Sequence, residues 1–461
     1  MNQKLELFKE NMKGKSVAVI GIGVSNTPLI RFLVELGAKV TAFDKKSEQE
    51  LGNVYIQLKE LGVEFSLGDN YLDNLNHSII FKTPGMRFDT PELLAAKENG
   101  SIITSEMEAF FDLCPAQIIA VTGSDGKTTT TTLIYEILKE KEYTCWLGGN
   151  IGKPLLSEIE NIQPDHKVVL ELSSFQLHTM QSSPDIAVIT NITPNHLDMH
   201  KSMEEYVDAK KNIFLHQAHN GKLVLNYDND ITRSFEKEAK GRVIFFSRQS
   251  IPEQGVYVKD NSICFKTGEN EIKIMDTADI LLPGIHNVEN YMAAIAAVWE
   301  MVDVESIKKV ARTFNGVEHR IEFVREVAGI KFYNDSIASS PTRTIAGLNS
   351  FKQKVILIAG GYDKNIPFDK LGKVILDKVK VLVLIGKTAE KIAQAVKDAA
   401  GLSVELPTIL RCTSLEEAVK AAYSKAVNGD IVILSPACAS FDMFKNFEER
   451  GNKYKEIVKG L

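Results

Sequence analysis

The sequence predicts an α/β protein of three domains, on three observations. Short β-branched runs alternate with amphipathic helical stretches along nearly the whole chain, the pattern of parallel sheets joined by helical crossovers. This alternation restarts near residues 105 and 316, giving expected domains at 1–105, 106–315 and 316–461. The chain of 461 residues is also too long for a single hydrophobic core.

In the first series, residues 16–20, 39–43 and 78–81 read as strands. The second opens with the apolar run 118–121 and continues with strands at 168–170, 186–189 and 223–225. From about 243 to 282 short strands are broken by polar turns at Gly255, Asn261 and Gly268, which predicts a small antiparallel part. A helix over 287–301 precedes the third series, with strands at 330–333, 355–358, 381–384 and 431–434.

Composition excludes several function classes. Hydrophobic content of 44% and charged content of 25% are those of a globular protein, and no apolar run approaches membrane-spanning length. The segment Met1-Asn2-Gln3-Lys4-Leu5-Glu6 lacks the apolar core of a signal peptide. The five cysteines, Cys114, Cys145, Cys264, Cys412 and Cys438, are scattered and form no CxxC pair. Reduced thiols in the cytoplasm are expected, with neither a disulfide frame nor a zinc site. A net charge of −6 gives no global attraction to nucleic acid, so any anionic ligand must be held by local groups. A monomer with no nucleic-acid or membrane partner is expected.

The strongest local signal is Thr122-Gly123-Ser124-Asp125-Gly126-Lys127-Thr128-Thr129, between the strand at 118–121 and a helical segment at 130–139. A buried strand feeding a Gly-rich turn and a helix N-terminus makes an anion site, because backbone N–H groups and the helix dipole converge there. Lys127 can reach outer phosphates, and the Thr128 hydroxyl can ligate Mg²⁺. A standard P-loop has Gly six residues before its Lys, where this chain has Val121. The G-x-x-G-K-T spacing still points to ATP, but away from motor and GTPase relatives.

Other turns at strand carboxyl ends carry candidate chemistry. Gly21-Ile22-Gly23-Val24-Ser25-Asn26, with Asp44 ending the next strand, resembles a dinucleotide fingerprint. Asn26 stands where the third glycine belongs, which leaves open a nicotinamide site, another nucleotide's phosphates, or a structural turn. Glu171, at a strand end beside the phosphate loop, suits a Mg²⁺ ligand or an ordinary helix-cap neighbour. In Asn191-Ile192-Thr193-Pro194-Asn195-His196 the proline forces an extended turn that presents His196. Over residues 203–217 a helical projection puts Met203, Tyr206, Val207, Ile213 and Phe214 on one face. Lys210 falls near the middle of that face, and Lys211 lies on its flank. A buried ammonium is costly and loses its proton readily. Lys210 is therefore either a snorkelling side chain or a neutral amine able to add CO₂ as a carbamate. In the last third, Asn315-Gly316-Val317-Glu318-His319-Arg320, Asn334-Asp335-Ser336, Gly360-Gly361-Tyr362-Asp363-Lys364 and Ser435-Pro436-Ala437-Cys438-Ala439-Ser440 are polar turns that form one rim.

Together these stretches resemble the Mur ligase family over the whole chain. TGSDGKTT and NITPNHLD are features shared with folylpolyglutamate synthases. ELSSFQL around Glu171 and SPACASFDMFKNFEERG over 435–451 are similar to the D-glutamate-adding branch, and the DNPR motif of the later diaminopimelate- or lysine-adding step is absent. The resemblance implies a Rossmann-like N-terminal domain that binds a UDP substrate, a central P-loop ATPase domain, and a Rossmann-like C-terminal domain that binds the amino acid. It implies ATP-dependent joining of D-glutamate to UDP-N-acetylmuramoyl-L-alanine through an acyl phosphate, in peptidoglycan precursor synthesis.

By the same resemblance Thr128 and Glu171 hold one Mg²⁺, and His196 with a CO₂-derived carbamate on Lys210 holds a second. Lys127, His196 and Lys210 form the catalytic set. Residues 122–129 with Asn287, Asn290, Arg320 and Asp335 surround ATP. Gly23, Val24, Ser25, Asp44 and Lys45 take the UDP substrate. Ser339 (usually Thr), Lys364, Ser440 and Phe447 take D-glutamate. Many relatives carry Lys in a DSKATN stretch, whereas this chain reads Asp335-Ser336-Ile337-Ala338-Ser339-Ser340, and Arg343 is the candidate replacement. The base for the D-glutamate amine is not identified. Rival readings are a folylpolyglutamate synthase-like ligase, which lacks ELSSFQL, a nicotinamide-dependent oxidoreductase resting on Gly21, Gly23 and Asp44, and a non-catalytic nucleotide sensor.

Overall fold

The computed structural model describes residues 2–23, 25–193, 200–363, 366–400 and 406–461. Two compact units emerge, one of residues 1–279 and 289–310, the other of 280–288 and 311–461. Among the described residues no helix is long and apolar enough to cross a membrane.

The first unit contains two sheets. One has strands β1 (Ser16–Ile20), β2 (Lys39–Asp44), β3 (Glu64–Leu67), β4 (Ile79–Phe81) and β5 (Ile102–Thr104), all parallel, in the order β3-β2-β1-β4-β5. The order reverses about β1, which opens a crevice at the carboxyl ends of β1 and β4. The other comprises β6 (Gln117–Thr122), β7 (Cys145–Gly149), β8 (Lys167–Glu171), β9 (Ile186–Ile189), β10 (Lys222–Asn226), β11 (Arg242–Ser247), β12 (Gln254–Lys259), β13 (Ser262–Thr267) and β14 (Asn270–Asp276). Its order is β14-β13-β12-β11-β10-β9-β6-β8-β7. Here β6 lies between β8 and β9, so the phosphate-loop sequence emerges at a second reversal point.

Central strands are buried on both faces, which is why they read as unbroken apolar runs rather than alternating ones. The expected antiparallel part is confined to β12, β13 and β14. Asp260 and Asn261, both with positive φ, form the two-residue turn between β12 and β13. The strand β11 that precedes them still pairs in parallel with β12.

The second unit holds β15 (Glu322–Val327), β16 (Ile330–Asn334), β17 (Val355–Ala359), β18 (Val379–Leu384), β19 (Thr408–Arg411) and β20 (Ile431–Leu434), ordered β15-β16-β20-β17-β18-β19. The β15–β16 pair is an antiparallel hairpin turning at Ala328-Gly329; the remaining pairs are parallel. Separate apolar clusters cover the two faces of this sheet, one around Leu357 and Leu371, the other around Ile356 and Val419.

Two predicted helices begin earlier than the apolar pattern indicated. The helix after the phosphate loop is Lys127–Glu140, not 130–139, because its first turn is polar and faces the loop. The next difference is Ile285–Val298 against 287–301.

Candidate functional site

The phosphate loop is built by its own backbone. Gly123 has φ +147° and Gly126 φ +78°, conformations that L side chains avoid, and a Cβ on Gly126 would collide with the Asn290 side-chain oxygen. Gly126 in the left-handed region starts the Lys127–Glu140 helix. Neighbouring elements then pin the loop. Ser124 N–H donates to the Asn191 carbonyl (2.9 Å), Asp125 N–H to Asn191 Oδ1 (3.0 Å), and Thr190 Oγ1 to the Asp125 carbonyl (2.6 Å). Ser124 Oγ donates to the Thr193 carbonyl at 2.9 Å and lies 2.9 Å from the Tyr206 hydroxyl. Lys127 Nζ donates to the carbonyls of Gly123 (3.0 Å) and Ser124 (2.9 Å).

Lys210 lies against this loop. The helix Met203–Leu215 buries Tyr206, Ala209, Lys210, Ile213 and Phe214, so the projected face is the inward one, with Met203 and Val207 at its edge. Lys210 is 1% exposed, and its amine donates to Gly123 O (2.9 Å) and Thr122 Oγ1 (3.1 Å) while lying 4.9 Å from the Tyr206 ring centre. Burial drives its pKa well below the usual lysine range, and the Lys127 charge adds to this; Glu171 and Asp125 oppose it. Lys211, on the flank, pairs with Glu238 at 2.8 Å.

Glu171 closes the other side. It ends β8, next to β6, and is 2% exposed. Its Oε1 accepts a hydrogen bond from Asn150 Nδ2 at 2.8 Å, and its buried Oε2 has no hydrogen-bond partner among the described residues. A buried, half-satisfied carboxylate beside a phosphate loop fits a hard divalent cation such as Mg²⁺. Thr128 is buried in the first turn of the loop helix, and Thr129 follows it. Thr122 donates to the Leu172 carbonyl at 2.8 Å, and Asn290 Oδ1 accepts from Thr130 Oγ1 at 3.3 Å.

The first sheet carries its own turn. Asp44 uses both carboxylate oxygens on backbone N–H groups, accepting from Ile22 (2.6 Å) and Lys46 (2.9 Å). Asn26 is buried and donates to the Ile20 carbonyl at 2.9 Å, so it fills the space that a glycine would leave. Gly23, Ser25 and Lys45 are exposed around this turn. Val24, His196 and Lys364 lie outside the described residues.

In the second unit, Asp335 follows β16 and is buried. It accepts hydrogen bonds from Ser435 Oγ (2.7 Å) and Ile321 N–H (3.3 Å), and burial pushes its pKa up to about 7. Thr344 Oγ1 lies 3.0 Å from Ser435 Oγ and donates to the Ser435 carbonyl at 3.3 Å. Asn287 donates to the Pro283 carbonyl at 2.7 Å. Arg320 belongs to the tight turn before β15. Arg343 donates to the carbonyl of Ile337 at 3.2 Å. Ser339 N–H donates to the Ile337 carbonyl at 2.8 Å; Ser440 is buried. Phe447 opens the helix Phe447–Lys459, and its ring meets His319 edge-on at 5.9 Å.

Sequence reasoning missed Asn150 and Arg450. Asn150 follows β7, whose two glycines hid the strand. Arg450 is 1% exposed and ties two turns together, donating to Ser336 Oγ (3.0 Å), Ser336 O (2.8 Å) and Cys438 O (3.1 Å). Nothing local in the sequence marks an arginine as buried, although Arg450 lies inside the quoted 435–451 motif.

Comparison with known proteins follows the same order along the chain. Family models match for a Mur ligase MurD-like N-terminal domain over residues 15–105, a Mur ligase middle domain over 121–298, and a Mur ligase glutamate ligase domain over 319–438. A UDP-N-acetylmuramoylalanine–D-glutamate ligase of Acetivibrio thermocellus is 64% identical, with all of both chains covered. One of Ruminiclostridium cellulolyticum is 56% identical over the same extent. Among solved structures, a UDP-N-acetylmuramate-alanine ligase from Thermotoga maritima shares the fold, with a TM-score of 0.58 at 18% identity, covering 97% of this chain and 99% of its own. This chain belongs to the Mur ligase family.

Proposed function

We propose that the chain is an ATP-dependent amide ligase that adds D-glutamate to UDP-N-acetylmuramoyl-L-alanine, in cytoplasmic peptidoglycan precursor synthesis. The observation that carries this reading is the Lys210 amine buried against the phosphate loop, in a chain 64% identical throughout to a relative named for that reaction. The γ-phosphoryl group of ATP passes to the alanyl carboxylate, giving an acyl phosphate and ADP. The neutral amine of D-glutamate then attacks the activated carbonyl and expels phosphate.

Two anions must meet in the first step, so charge neutralisation and positioning dominate. The loop 122–129 cradles the phosphates at the first turn of the Lys127–Glu140 helix, and the contacts of Ser124 and Asp125 to Thr193 and Asn191 hold the loop in place. Lys127 carries the positive charge at the loop. Thr128 and Glu171 would hold a Mg²⁺ ion, which would supply Lewis-acid neutralisation of the transferring phosphoryl group. Burial lowers the Lys210 pKa and favours its neutral amine, which adds CO₂ with loss of a proton. The resulting carbamate would give oxygen ligands for a second Mg²⁺, together with His196.

Further assignments are part of the same proposal. Residues 1–105 bind the UDP substrate through Gly23, Val24, Ser25, Asp44 and Lys45. Residues 106–315 bind ATP, with Asn287, Asn290, Arg320 and Asp335 completing its surroundings. Residues 316–461 take D-glutamate through Ser339, Lys364, Ser440 and Phe447, and Arg343 replaces the lysine absent at Ile337. The enzyme acts as a monomer. The test is phosphate release from ATP with each substrate omitted in turn. Release that requires both UDP-N-acetylmuramoyl-L-alanine and D-glutamate is expected, and silence with both present would sink the reading.

A further inference from the structure

Lys82 occupies the crevice at the carboxyl ends of β1 and β4. The Gly21 turn packs against its neighbour, since a Cβ on Gly21 would lie 3.3 Å from Thr83 Cβ. A cleft opens here, lined among others by Lys82, Gly85, Arg87, Phe175, His178 and His200. On its far side the His200 ring lies 5.3 Å from that of Tyr206, whose hydroxyl is 2.9 Å from Ser124 of the phosphate loop. The cleft therefore adjoins the nucleotide-type turn of the first sheet through Thr83, and the phosphate loop of the second through His200 and Tyr206.

Charge distinguishes Lys82 from its neighbour. Arg87 is neutralised by Asp89 (2.8 Å) and Glu205 (2.9 Å). Lys82 is 3% exposed, yet its amine has no ion pair among the described residues, and its hydrogen bond to the Met86 carbonyl is 3.5 Å long. Burial lowers its pKa, with the more distant Glu108 opposing. A buried cation without a counter-charge is costly unless a ligand supplies one. The same cleft contains donor atoms of His178, His200 and Glu205 all within 4.8 Å of one another. A divalent cation is disfavoured there, because Arg87 already occupies Glu205 and Lys82 adds a second positive charge.

We propose that Lys82 is a specificity-determining residue that binds the diphosphate of the UDP-linked substrate. This rests on the ligase reading for the identity of the substrate, and on the buried amine and its place in the crevice for the anion. The diphosphate lies between uridine, at the Gly21–Asp44 turn, and the sugar, whose alanyl carboxylate must reach the phosphate loop.

The test uses the full chain, with Lys82→Met and Lys82→Arg, and UDP and uridine as calorimetric probes. Lys82→Met should weaken UDP binding about 10- to 100-fold, the loss of a charge-assisted hydrogen bond, and leave uridine within about twofold. KM for UDP-N-acetylmuramoyl-L-alanine should rise by the same factor, with kcat and the KM values for ATP and D-glutamate nearly unchanged. Lys82→Arg should retain most of the affinity. The thermal midpoint of Lys82→Met should equal or exceed that of wild type, because an uncompensated buried charge is gone, which a structural role would not produce. Unchanged UDP affinity in Lys82→Met, or equal losses for UDP and uridine, would overturn the proposal. An active wild type with an indifferent Lys82→Met sinks only the diphosphate contact. A wild type that binds UDP through Lys82 but makes no product sinks only the ligase reading.

Discussion

Asn150 Nδ2 donates to Glu171 Oε1 at 2.8 Å, and the Asn150 N–H donates to the Glu171 carbonyl at 2.8 Å, so one residue fixes both the side chain and the backbone of the proposed metal ligand. The other carboxylate oxygen is left for a cation. Asn150→Ala should raise the Mg²⁺ concentration needed for half-maximal activity by about 10- to 100-fold, the usual effect of losing a residue that orients a ligand. Titrating activity with Mg²⁺ at saturating ATP checks this. An unchanged Mg²⁺ requirement would mean that Glu171 is not a metal ligand.

Lys210 and Lys211 are adjacent but differ in environment, one buried on the phosphate loop and the other paired with Glu238 at 2.8 Å. Lys210→Ala should lower kcat by about a thousandfold or more, as expected for loss of a group that organises transition-state charge. Lys211→Ala should stay within about twofold, as for a partly exposed ion pair at the surface. Partial rescue of Lys210→Ala by small carboxylic acids would support the carbamate; normal turnover in that variant would exclude it.

Arg450 braces the turns that carry Ser336 and Cys438 with a planar fork that lysine cannot reproduce. Arg450→Lys should destabilise the protein by roughly 2–4 kcal/mol, because buried carbonyls lose their donors. KM for D-glutamate should rise about tenfold, with KM for the UDP substrate unchanged. Denaturant unfolding and steady-state kinetics measure the two effects, and equal rises in both KM values would refute the local role.

Glu106 provides a pH test away from the proposed chemistry. It is buried, its Oε1 accepts from Leu156 N–H at 3.1 Å, and burial raises its pKa from 4.5 to about 7. A raised folded-state pKa means that the native state holds its proton between pH 4.5 and 7 while the unfolded chain releases it. The Glu106 contribution is therefore complete below pH 4.5, falls as pH rises to 7, and is flat beyond. Relative to wild type, Glu106→Gln should gain up to roughly 3 kcal/mol across that window. Parallel stability–pH curves for the two proteins would contradict this.

Much of the fold was legible because the strands of parallel sheets are buried on both faces and appear as apolar runs. The strands that were missed, β3, β5, β7, β15 and β19, lie at sheet edges and are only partly buried. Lys210 could be picked from helical periodicity, since a lone lysine on an apolar face has few places to go. Asn150, Lys82 and Arg450 could not, because their roles depend on partners 12 to 114 residues away or on the absence of one. The composition of the phosphate loop was plain in the sequence, but the residues that clamp it, Thr190, Asn191 and Tyr206, are recognisable only once β6, β9 and the helix Met203–Leu215 are brought together.

The most direct test of the central claim follows oxygen through the reaction. UDP-N-acetylmuramoyl-L-alanine labelled with ¹⁸O in its alanyl carboxylate is incubated with ATP, Mg²⁺ and D-glutamate, and the released phosphate is analysed by mass. Ligation through an acyl phosphate predicts one ¹⁸O atom in each phosphate, and formation of the D-glutamyl product in equal amount. Unlabelled phosphate, or labelled phosphate without the D-glutamyl product, would contradict the account.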